Sequence, residues 1–201
     1  MTDLFDDRAA DWDSRPVPLQ ISEGVTAAML GAVAFSPEQT VLDFGAGTGL
    51  VATRIAPLVG HVLAVDVSPA MLGKLAEKEV LRGKVEVFCQ DILHTPLDRR
   101  ADVIVSAMAA HHVADTAQLL RTLHAHLLPG GQLALADLDS EDGSFHPPGI
   151  EGVFHPGFDR EALAALAVEA GFAEPTFVTA CEVDRNGRRY PVFLLTATRP
   201  A

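Results

Sequence analysis

The chain has 201 residues, a length typical of one compact domain with a sizeable core. Its 27 acidic and 15 basic residues give a formal net charge of −12, which disfavours a nucleic-acid partner. No apolar run is long enough to span a membrane, and the acidic start lacks the features of a signal peptide. The two cysteines have no metal-type spacing, and a reduced cytoplasmic protein is the simplest interpretation. We therefore predict one cytoplasmic domain over residues 1–201.

The first 36 residues predict a helical cap ahead of the sheet. Residues 4–12 and residues 21–33 each have a helical pattern, and the two prolines within residues 15–18 predict a break between them. We therefore expect two helices to precede the first strand.

A glycine turn follows the first predicted strand, residues 40–44. Asp43 precedes three glycines at alternate positions, of which Gly45 and Gly47 are the first two. Glycines let the backbone turn sharply and approach a ligand closely. A helix predicted over residues 50–58 would point free N–H groups at a nucleotide-type ligand. The carboxylate beside this turn would repel a pyrophosphate and would suit a cationic ammonium group.

Two further predicted strands also end next to a carboxylate. Residues 62–66 end in Asp66, at the distance from the glycines where dinucleotide-binding folds hold a ribose. Residues 85–89 lead to Asp91, at the sheet edge where ligands bind in open α/β folds. These positions suit any nucleoside ligand.

The rest of the chain continues the alternation of strands and helices. A helix is predicted at residues 159–170, and Asn186-Gly187 is a strong hairpin signal. The remaining strands are predicted at residues 102–106, 132–137, 176–183 and 190–198. This order predicts an α/β protein whose parallel sheet is covered by helices on both faces. Two basic clusters, at residues 99–100 and 185–189, lie near turns and are interpreted as solvated charges.

Residues 137–159 form an insert after the fifth predicted strand. Their glycines and prolines exclude a long helix. Since the insert should lie over the carboxyl edge of the sheet, its aromatic residues and histidines predict a flexible lid for a small organic substrate. An ordinary surface loop is the alternative.

Five segments, in order, resemble motifs of the class I S-adenosylmethionine-dependent methyltransferases: V-L-D-F-G-A-G-T-G, A-V-D-V-S-P-A-M-L, C-Q-D-I-L, A-D-V-I-V-S-A-M-A-A-H-H-V and L-L-P-G-G-Q-L-A-L-A-D. The likeness runs from about Phe5 to Thr198 and is greatest to small-molecule members such as those of ubiquinone and menaquinone biosynthesis. It implies a Rossmann-like fold with a mostly parallel seven-stranded sheet. It also implies a C-terminal antiparallel hairpin whose last strand lies inside the sheet edge.

The resemblance also implies a set of cofactor-binding residues. Asp43 would assist the ammonium group, Asp66 the ribose hydroxyls and Asp91 the adenine amino group, while Met71 would pack on the adenine. A core role for Met71 and a turn-capping role for Asp91 stay open. The implied positions are Asp43, Gly45, Ala46, Gly47, Asp66, Val67, Met71, Asp91, Ile92 and Ser106.

Histidines supply the candidate catalytic groups. A hydroxyl or protonated amine acceptor needs a base, and the sequence does not rank the candidates His111, His112, His146 and His155. Their spacing fits no compact metal signature, so we predict no metal. Ser106 is not followed by the two prolines and aromatic residue of members that methylate amides or base amino groups. Trp12 either closes the cofactor pocket or packs in the core.

The predicted function is methyl transfer from S-adenosylmethionine to a small molecule by direct displacement. Two alternatives stay open. Residues 47–52 satisfy the looser glycine-or-alanine dinucleotide pattern, which would suit an NAD(P)-dependent oxidoreductase. The chain would otherwise be a non-catalytic domain that binds S-adenosylmethionine. The sequence specifies neither the acceptor nor the oligomeric state.

Overall fold

The computed structural model describes residue 5, residues 8–185 and residues 187–201. Within this part of the chain, seven strands form one sheet in the order β3-β2-β1-β4-β5-β7-β6. The pairings are parallel except that β7 lies antiparallel between β5 and β6, as predicted. The strands are β1 Thr40–Phe44, β2 His61–Asp66, β3 Val85–Cys89, β4 Ala101–Ala107, β5 Leu127–Leu138, β6 Ala173–Arg185 and β7 Arg188–Thr198.

Helices cover both faces of this sheet. The α-helices are α1 Pro16–Ala32, α2 Ala52–Ile55, α3 Pro69–Ala76, α4 Thr116–His126 and α5 Arg160–Glu169. Short 3₁₀ turns lie at Trp12–Ser14, Ala56–Leu58, Glu79–Leu81 and Ala110–His112. Three of the α-helices begin at a residue whose side chain accepts a hydrogen bond from the first turn, as N-caps do: Ser68, Asp115 and Asp159.

The alternation of side chains along the strands divides the core between the two faces. In β1, Val41 packs in a cluster with residues of α1, α2 and α3, whereas Leu42 packs on the opposite face with residues of α4 and α5. Both side chains are fully buried, so the central strands are apolar on both sides. The sheet is thereby held at a fixed position between two helical layers, and its carboxyl edge becomes a rigid platform.

The start of α1 differs from the prediction. The helix begins at Pro16, although the prolines of residues 15–18 predicted a break. Proline is tolerated in the first helical turn because the N–H that it lacks has no partner there. Of the helix predicted at residues 4–12, residues 4, 6 and 7 lie outside the described part, and the described residues form turns and the short 3₁₀ turn Trp12–Ser14.

The helix predicted at residues 50–58 is also shorter than expected. Only Ala52–Ile55 is α-helical, and Ala56–Leu58 continues as a 3₁₀ turn. Pro57 accounts for the change, because it has no N–H to extend the α-helical hydrogen bonds.

The C-terminal hairpin extends further than predicted. Pairing between β6 and β7 continues to Arg185 and Arg188, which leaves two residues for the connection. Asn186 of the predicted Asn186-Gly187 turn lies outside the described residues, and Gly187 has φ of +74°.

Candidate active site

A cavity of about 1050 Å³ lies at the carboxyl edge of the sheet. Its walls come from the ends of β1, β2 and β4, from the amino-terminal segment and from the insert at residues 137–159. The order of strands reverses between β1 and β4, which is where open α/β sheets bind ligands. Pockets for one drug-sized ligand span about 300–1,000 Å³. This cavity therefore has room for a cofactor and an acceptor.

The N–H groups of the glycine turn are engaged within the protein. Those of Gly45 and Ala46 donate to the carbonyl oxygen of Val65 at 2.9 and 3.0 Å. The N–H of Gly47 donates to Asp66 Oδ2 at 2.7 Å. The N–H groups of these three residues therefore bond to the second strand, and the free N–H groups that we expected belong to the helix predicted after the turn.

The two glycines serve different purposes. Both have positive φ, +70° at Gly45 and +54° at Gly47. A Cβ at Gly45 would collide with the side chain of Ala109, whereas a Cβ at Gly47 would meet no atom within 4 Å. Because Gly45 has no side chain, the segment after β4 can pack against the glycine turn. Because Gly47 has none, the space beside the cavity wall stays free.

Asp43 is a buried carboxyl group with an unused acceptor. Its side chain is 2% exposed and lines the cavity, and Oδ2 has no hydrogen-bond partner among the described residues. Burial and, to a smaller extent, the nearby charge of Asp66 raise the pKa of Asp43 to about 7. A hydrogen bond from the N–H of Ala52 acts in the opposite direction and lowers this pKa. A cationic ligand group would satisfy this oxygen.

The acids after β2 and β3 also line the cavity. Asp66 Oδ1 accepts from the N–H of Ser68 at 2.9 Å. Asp91 accepts from the N–H of Leu93 at 2.9 Å and lies 2.7 Å from His94 Nδ1, so its carboxylate caps the turn after β3. Since a carboxylate oxygen has two lone pairs, this capping leaves acceptor capacity toward the cavity.

The other predicted cofactor residues differ in position. Val67 is exposed and Met71 is buried, and both line the cavity. Ile92 is fully buried in the core beside it. Ser106 is also buried and donates to the carbonyl oxygen of Phe44 at 2.9 Å, so its hydroxyl joins β4 to β1. Neither Ile92 nor Ser106 is among the described residues that line the cavity.

Met108, just after β4, has a strained backbone. Its φ of 59° is unusual for a residue with a side chain, and its N–H donates to the carbonyl oxygen of Ala136 at 2.9 Å. Met108 lines the cavity. Strained conformations of this kind are concentrated at functional sites.

A buried carboxylate and two histidines form a chain of hydrogen bonds at the other end of the cavity. Asp137, 0% exposed, lies with Oδ1 2.7 Å from His111 Nδ1, and its Oδ2 accepts from the backbone N–H of His111 at 3.1 Å. His111 Nε2 lies 3.2 Å from His146 Nε2. His111 is 1% exposed, whereas His146 is only partly buried. Both histidines line the cavity.

His112 joins the 3₁₀ turn after β4 to the insert. Its Nδ1 lies 2.6 Å from the carbonyl oxygen of Gly152, and its ring contacts Phe5 edge-on at 5.1 Å between centroids. Burial, followed by the charge of His111, lowers the pKa of His112 to about 4. The same two causes lower the pKa of His146 to about 4. Both rings are therefore neutral at pH 7.

The backbone N–H of His155 donates to the carbonyl oxygen of His111 at 3.3 Å, but its ring packs on Phe158 instead of the other three candidate histidines. Its Nε2 lies 3.0 Å from the carbonyl oxygen of Val113 and 3.2 Å from Thr116 Oγ1. It is not among the described residues that line the cavity. This placement suits the attachment of the insert to the start of α4.

The insert at residues 137–159, which we call the lid after its predicted role, contains no helix among its described residues. Its two ends meet where the N–H of Phe158 donates to the carbonyl oxygen of Leu138 at 2.9 Å. Ser144 Oγ lies 2.8 Å from the hydroxyl of Tyr190, and the N–H of Phe154 donates to the carbonyl oxygen of His111 at 3.0 Å. These bonds attach the insert to the sheet edge.

The amino-terminal segment forms a further wall of the cavity. Phe5 and Trp12 both line it, which places Trp12 at the pocket. Asp13 Oδ1 accepts from Thr48 Oγ1 at 2.5 Å, and its Oδ2 lies 2.6 Å from Lys78 Nζ. Asp13 thereby fastens this segment across the glycine turn.

Sequence reasoning missed Asp137 as a site residue, although it ends a strand as Asp66 does. It also assigned Arg185 to solvent, whereas Arg185 lines the cavity together with Arg8. No sequence signal marks these arginines, because their position depends on how distant segments pack.

Within the described part of the chain, no group of three or more His, Cys, Asp or Glu side chains is arranged to hold a metal ion. None of the described helices combines the length and hydrophobicity needed to cross a membrane.

Comparison with known proteins gives concordant matches. A profile of the methyltransferase domain matches residues 42–135. An uncharacterised methyltransferase of Geobacillus kaustophilus is 32% identical over 152 residues, which cover 71% of this chain and 70% of that protein. An arsenite methyltransferase of Halobacterium salinarum is 28% identical over 190 residues, covering 84% of this chain and 48% of that protein.

A solved structure supports the fold. The N-methyltransferase NodS of Bradyrhizobium japonicum, in complex with S-adenosyl-L-homocysteine, superposes with a TM-score of 0.74 at 18% identity, over 99% of this chain and 100% of that one. The chain spans about half the length of the first curated relatives that it matches. With the strand order, the acids at the ends of β1 and β2 and the extent of the Geobacillus match, the chain belongs to the class I S-adenosylmethionine-dependent methyltransferases.

Proposed function

We propose that the protein transfers a methyl group from S-adenosylmethionine to a small-molecule acceptor that binds beneath the lid. One observation carries this proposal: a single cavity is lined at one end by Asp43, Gly47 and Asp66 and at the other by His111 and His146. A cofactor and an acceptor in this cavity would lie next to each other, in a site closed by the lid and the amino-terminal segment.

The residues at the first end fit the family's cofactor. The unpartnered Oδ2 of Asp43 suits its ammonium group, and Asp66 and Asp91 retain acceptor capacity for ribose hydroxyls and the adenine amino group. Val67 and Met71 offer apolar surface beside them. When bound, S-adenosylmethionine supplies a methyl group on a positively charged sulfur.

The same contacts argue against an NAD(P)-dependent oxidoreductase. A pyrophosphate at this turn would need free N–H groups, yet those of Gly45, Ala46 and Gly47 already have acceptors. It would also lie beside the carboxyl groups of Asp43 and Asp66, which would repel it.

For an acceptor that must lose a proton, we propose His146 as the receiving base. Because Asp137 accepts from His111 Nδ1, the Nε2 of His111 is left as an acceptor for the Nε2–H of His146. His146 Nδ1 then takes the acceptor's proton while its Nε2 proton passes to His111. The positive charge comes to lie on His111, beside the buried carboxylate of Asp137. His146 alone is a weak base, and this transfer compensates for its lowered pKa.

Asp137 has a positioning role in this scheme. Its three hydrogen bonds, from His111 Nδ1, from the N–H of His111 and from the N–H of Leu138, fix both the ring and the tautomer. His112 and His155 have their hydrogen bonds to the lid or to α4 and are less suited to take up the proton.

The cavity lining favours an organic acceptor. Phe5, Phe145, Ile150 and Phe154 supply apolar contacts around the histidines. The relative from Halobacterium salinarum is named for arsenite, and trivalent arsenic is bound by thiolates. Neither of the two cysteines is among the described residues that line the cavity, so the same acceptor is not supported here. The likeness to quinone-biosynthesis enzymes stays a prediction.

Two measurements test the proposed function. Titration calorimetry with S-adenosylhomocysteine should show binding that Asp66→Ala weakens at least tenfold, and Glu86→Gln, an exposed acid of β3, should leave it unchanged. Mass spectrometry of a metabolite extract, incubated with the protein and methyl-labelled S-adenosylmethionine, should then reveal a labelled small molecule. Absence of binding would overturn the cofactor assignment, and binding without any labelled product would favour a non-catalytic domain.

A further inference from the structure

The two ends of the cavity differ in the sign of their charged groups. The carboxyl groups that line it lie at or just after the ends of β1, β2 and β3 and directly before α4, and they are Asp43, Asp66, Asp91 and Asp115. The guanidinium groups that line it belong to the amino-terminal segment and to β6, and they are Arg8, Arg15 and Arg185. The acidic end suits a cationic cofactor, and the basic end lies beside the lid.

Arg185 differs from the neighbouring arginines of the same hairpin. Arg188 lies 2.7 Å from Asp142 and Arg189 lies 3.4 Å from Glu182, so both are paired with acids on the surface. Arg185 has no such partner among the described residues. Its guanidinium carbon instead lies 5.0 Å from the ring centroid of Phe145, a buried residue of the lid. Arg185 therefore presents an uncompensated charge at the cavity, in a chain with net charge −12.

Arg8 is a second arginine of the cavity wall. The part of the chain that the structure describes offers it no ion-pair partner, whereas Arg15 is paired with Asp11 at 2.9 Å. The charge of Arg8 acts on the pKa of His112, and that of Arg185 on the pKa of His146. The rings of His112 and His146 are 5.9 Å apart, and both guanidinium groups line the same cavity as these rings.

We propose that Arg185, assisted by Arg8, binds an anionic group of the methyl acceptor, a carboxylate or a phosphate attached to an apolar body. A guanidinium forms paired hydrogen bonds with either anion, and its attraction is strengthened where the site is partly shielded from water. The aromatic side chains of the lid, Phe145 and Phe154, would contact the apolar body. The inference rests on the proposed function and names the substrate class of that site.

A bound anion would also assist the histidines. Arg185 disfavours a proton on His146, as do burial, His111 and His112, and only Asp137 acts in the opposite direction. An anion between Arg185 and the histidines would offset the charge of that guanidinium. The acceptor's own acid group would then make His146 a stronger base when the acceptor is in place.

The test uses the protein saturated with S-adenosylhomocysteine and four simple probes. Benzoate and phenylphosphonate carry the two anions, and benzamide and benzylamine are the neutral and cationic counterparts. We expect calorimetry to show that at least one anion binds at least tenfold more tightly than both counterparts. Which of the two anions binds more tightly identifies the group as carboxylate-like or phosphate-like.

Variants of one hairpin make the test specific. Arg185→Gln should weaken binding of the preferred anion at least tenfold. Arg189→Gln removes the same charge from an exposed position of β7 outside the cavity wall and should leave binding within about twofold. Equal binding of benzamide, or equal loss in both variants, would overturn the proposal.

The two proposals fail in different ways. If S-adenosylhomocysteine does not bind the unmodified protein, the proposed function is wrong. If it binds with unchanged affinity in Arg185→Gln but neither anion is preferred over benzamide, the cofactor assignment stands and the anionic substrate class is wrong.

Discussion

The acidic end of the cavity, which we propose binds the cofactor, and the acceptor end, which we propose binds the methyl acceptor, are built in different ways. At the acidic end, Asp43 and Asp66 lie at the ends of β1 and β2 and Asp91 follows β3, within about 50 residues of sequence. At the acceptor end, the wall combines the amino-terminal segment, the turn after β4, the lid and β6. The acidic end is formed by three consecutive strands of the sheet, whereas the acceptor end is formed by segments that are distant from one another in sequence.

This difference indicates which end can vary without loss of the fold. Carboxyl groups that are fixed at strand ends by backbone N–H groups keep the same position and therefore the same specificity for one type of ligand. A wall made from a lid, a hairpin and an amino-terminal segment can change its substrate while the sheet stays constant. The charges follow a similar division. Three of the four acids lie at or just after the ends of β1, β2 and β3, whereas Arg8 and Arg185, which have no ion-pair partner among the described residues, lie in the amino-terminal segment and at the hairpin end of β6.

The largest expected effect separates catalysis from cofactor binding. Asp137→Asn should lower kcat for a proton-losing acceptor by roughly 10²–10⁴-fold, the range of general acid–base contributions, because Asn no longer fixes the tautomer of His111. Affinity for S-adenosylhomocysteine should stay within about twofold. Steady-state kinetics measures kcat, and calorimetry measures the affinity for S-adenosylhomocysteine.

A double-variant cycle provides the control for this prediction. If Asp137 acts through the histidines, adding Asp137→Asn to His146→Phe should have little further effect on kcat. Equal loss in both backgrounds, together with a lower melting temperature and unchanged pH dependence, would mean that Asp137 only supports the fold.

The second prediction concerns the acidic end. Asp43→Asn should weaken binding of S-adenosylhomocysteine about tenfold or more at pH 8, because it removes a buried charged partner of the ammonium group. In the unmodified protein, affinity should rise as the pH increases through about 7, where Asp43 ionises. The variant should bind with little dependence on pH, which calorimetry between pH 6 and pH 8 would show.

The same substitution should stabilise the ligand-free protein at high pH. The pKa of Asp43 is raised from 3.8 to about 7, so the folded state holds an extra proton between these values and loses stability as the pH rises through this window. The loss is on the order of 1–4 kcal/mol, since each pKa unit corresponds to about 1.4 kcal/mol. Urea unfolding of Asp43→Asn should show a weaker decline. A decline equal to that of the unmodified protein would exclude Asp43 as its cause.

A smaller effect is expected from the lid anchor. Tyr190→Phe removes the hydroxyl that contacts Ser144 at 2.8 Å. The free energy of unfolding should fall by about 1 kcal/mol, and KM for the acceptor should rise a few-fold while cofactor affinity stays constant. A change in cofactor affinity instead would mean that the lid supports both ends of the cavity.

The smallest effect is expected at His155. His155→Gln should leave kcat and KM within about twofold, because this side chain hydrogen-bonds to Val113 and Thr116 and is not among the described residues that line the cavity. A tenfold loss of kcat at an unchanged melting temperature would return His155 to the candidate bases and would weaken the assignment of His146.

The amino-acid sequence by itself determined the fold and the acidic end of the site. Strands that end in Asp43 and Asp66, with helices between them, lead to a parallel sheet whose carboxyl ends meet at one edge. Periodicity and glycine positions act over a few residues, which is why they can be interpreted without the fold. The same local rules misplaced the start of α1, since proline is compatible with a first helical turn.

Only the tertiary structure decided the acceptor end. The contact of Asp137 with His111 spans 26 residues, and that of His111 with His146 spans 35. Arg185 faces the cavity while Arg188 and Arg189 pair with surface acids, although all three lie in one predicted basic cluster. Such contacts depend on strand register and on the path of the lid across the sheet, and these are set by packing over the whole chain.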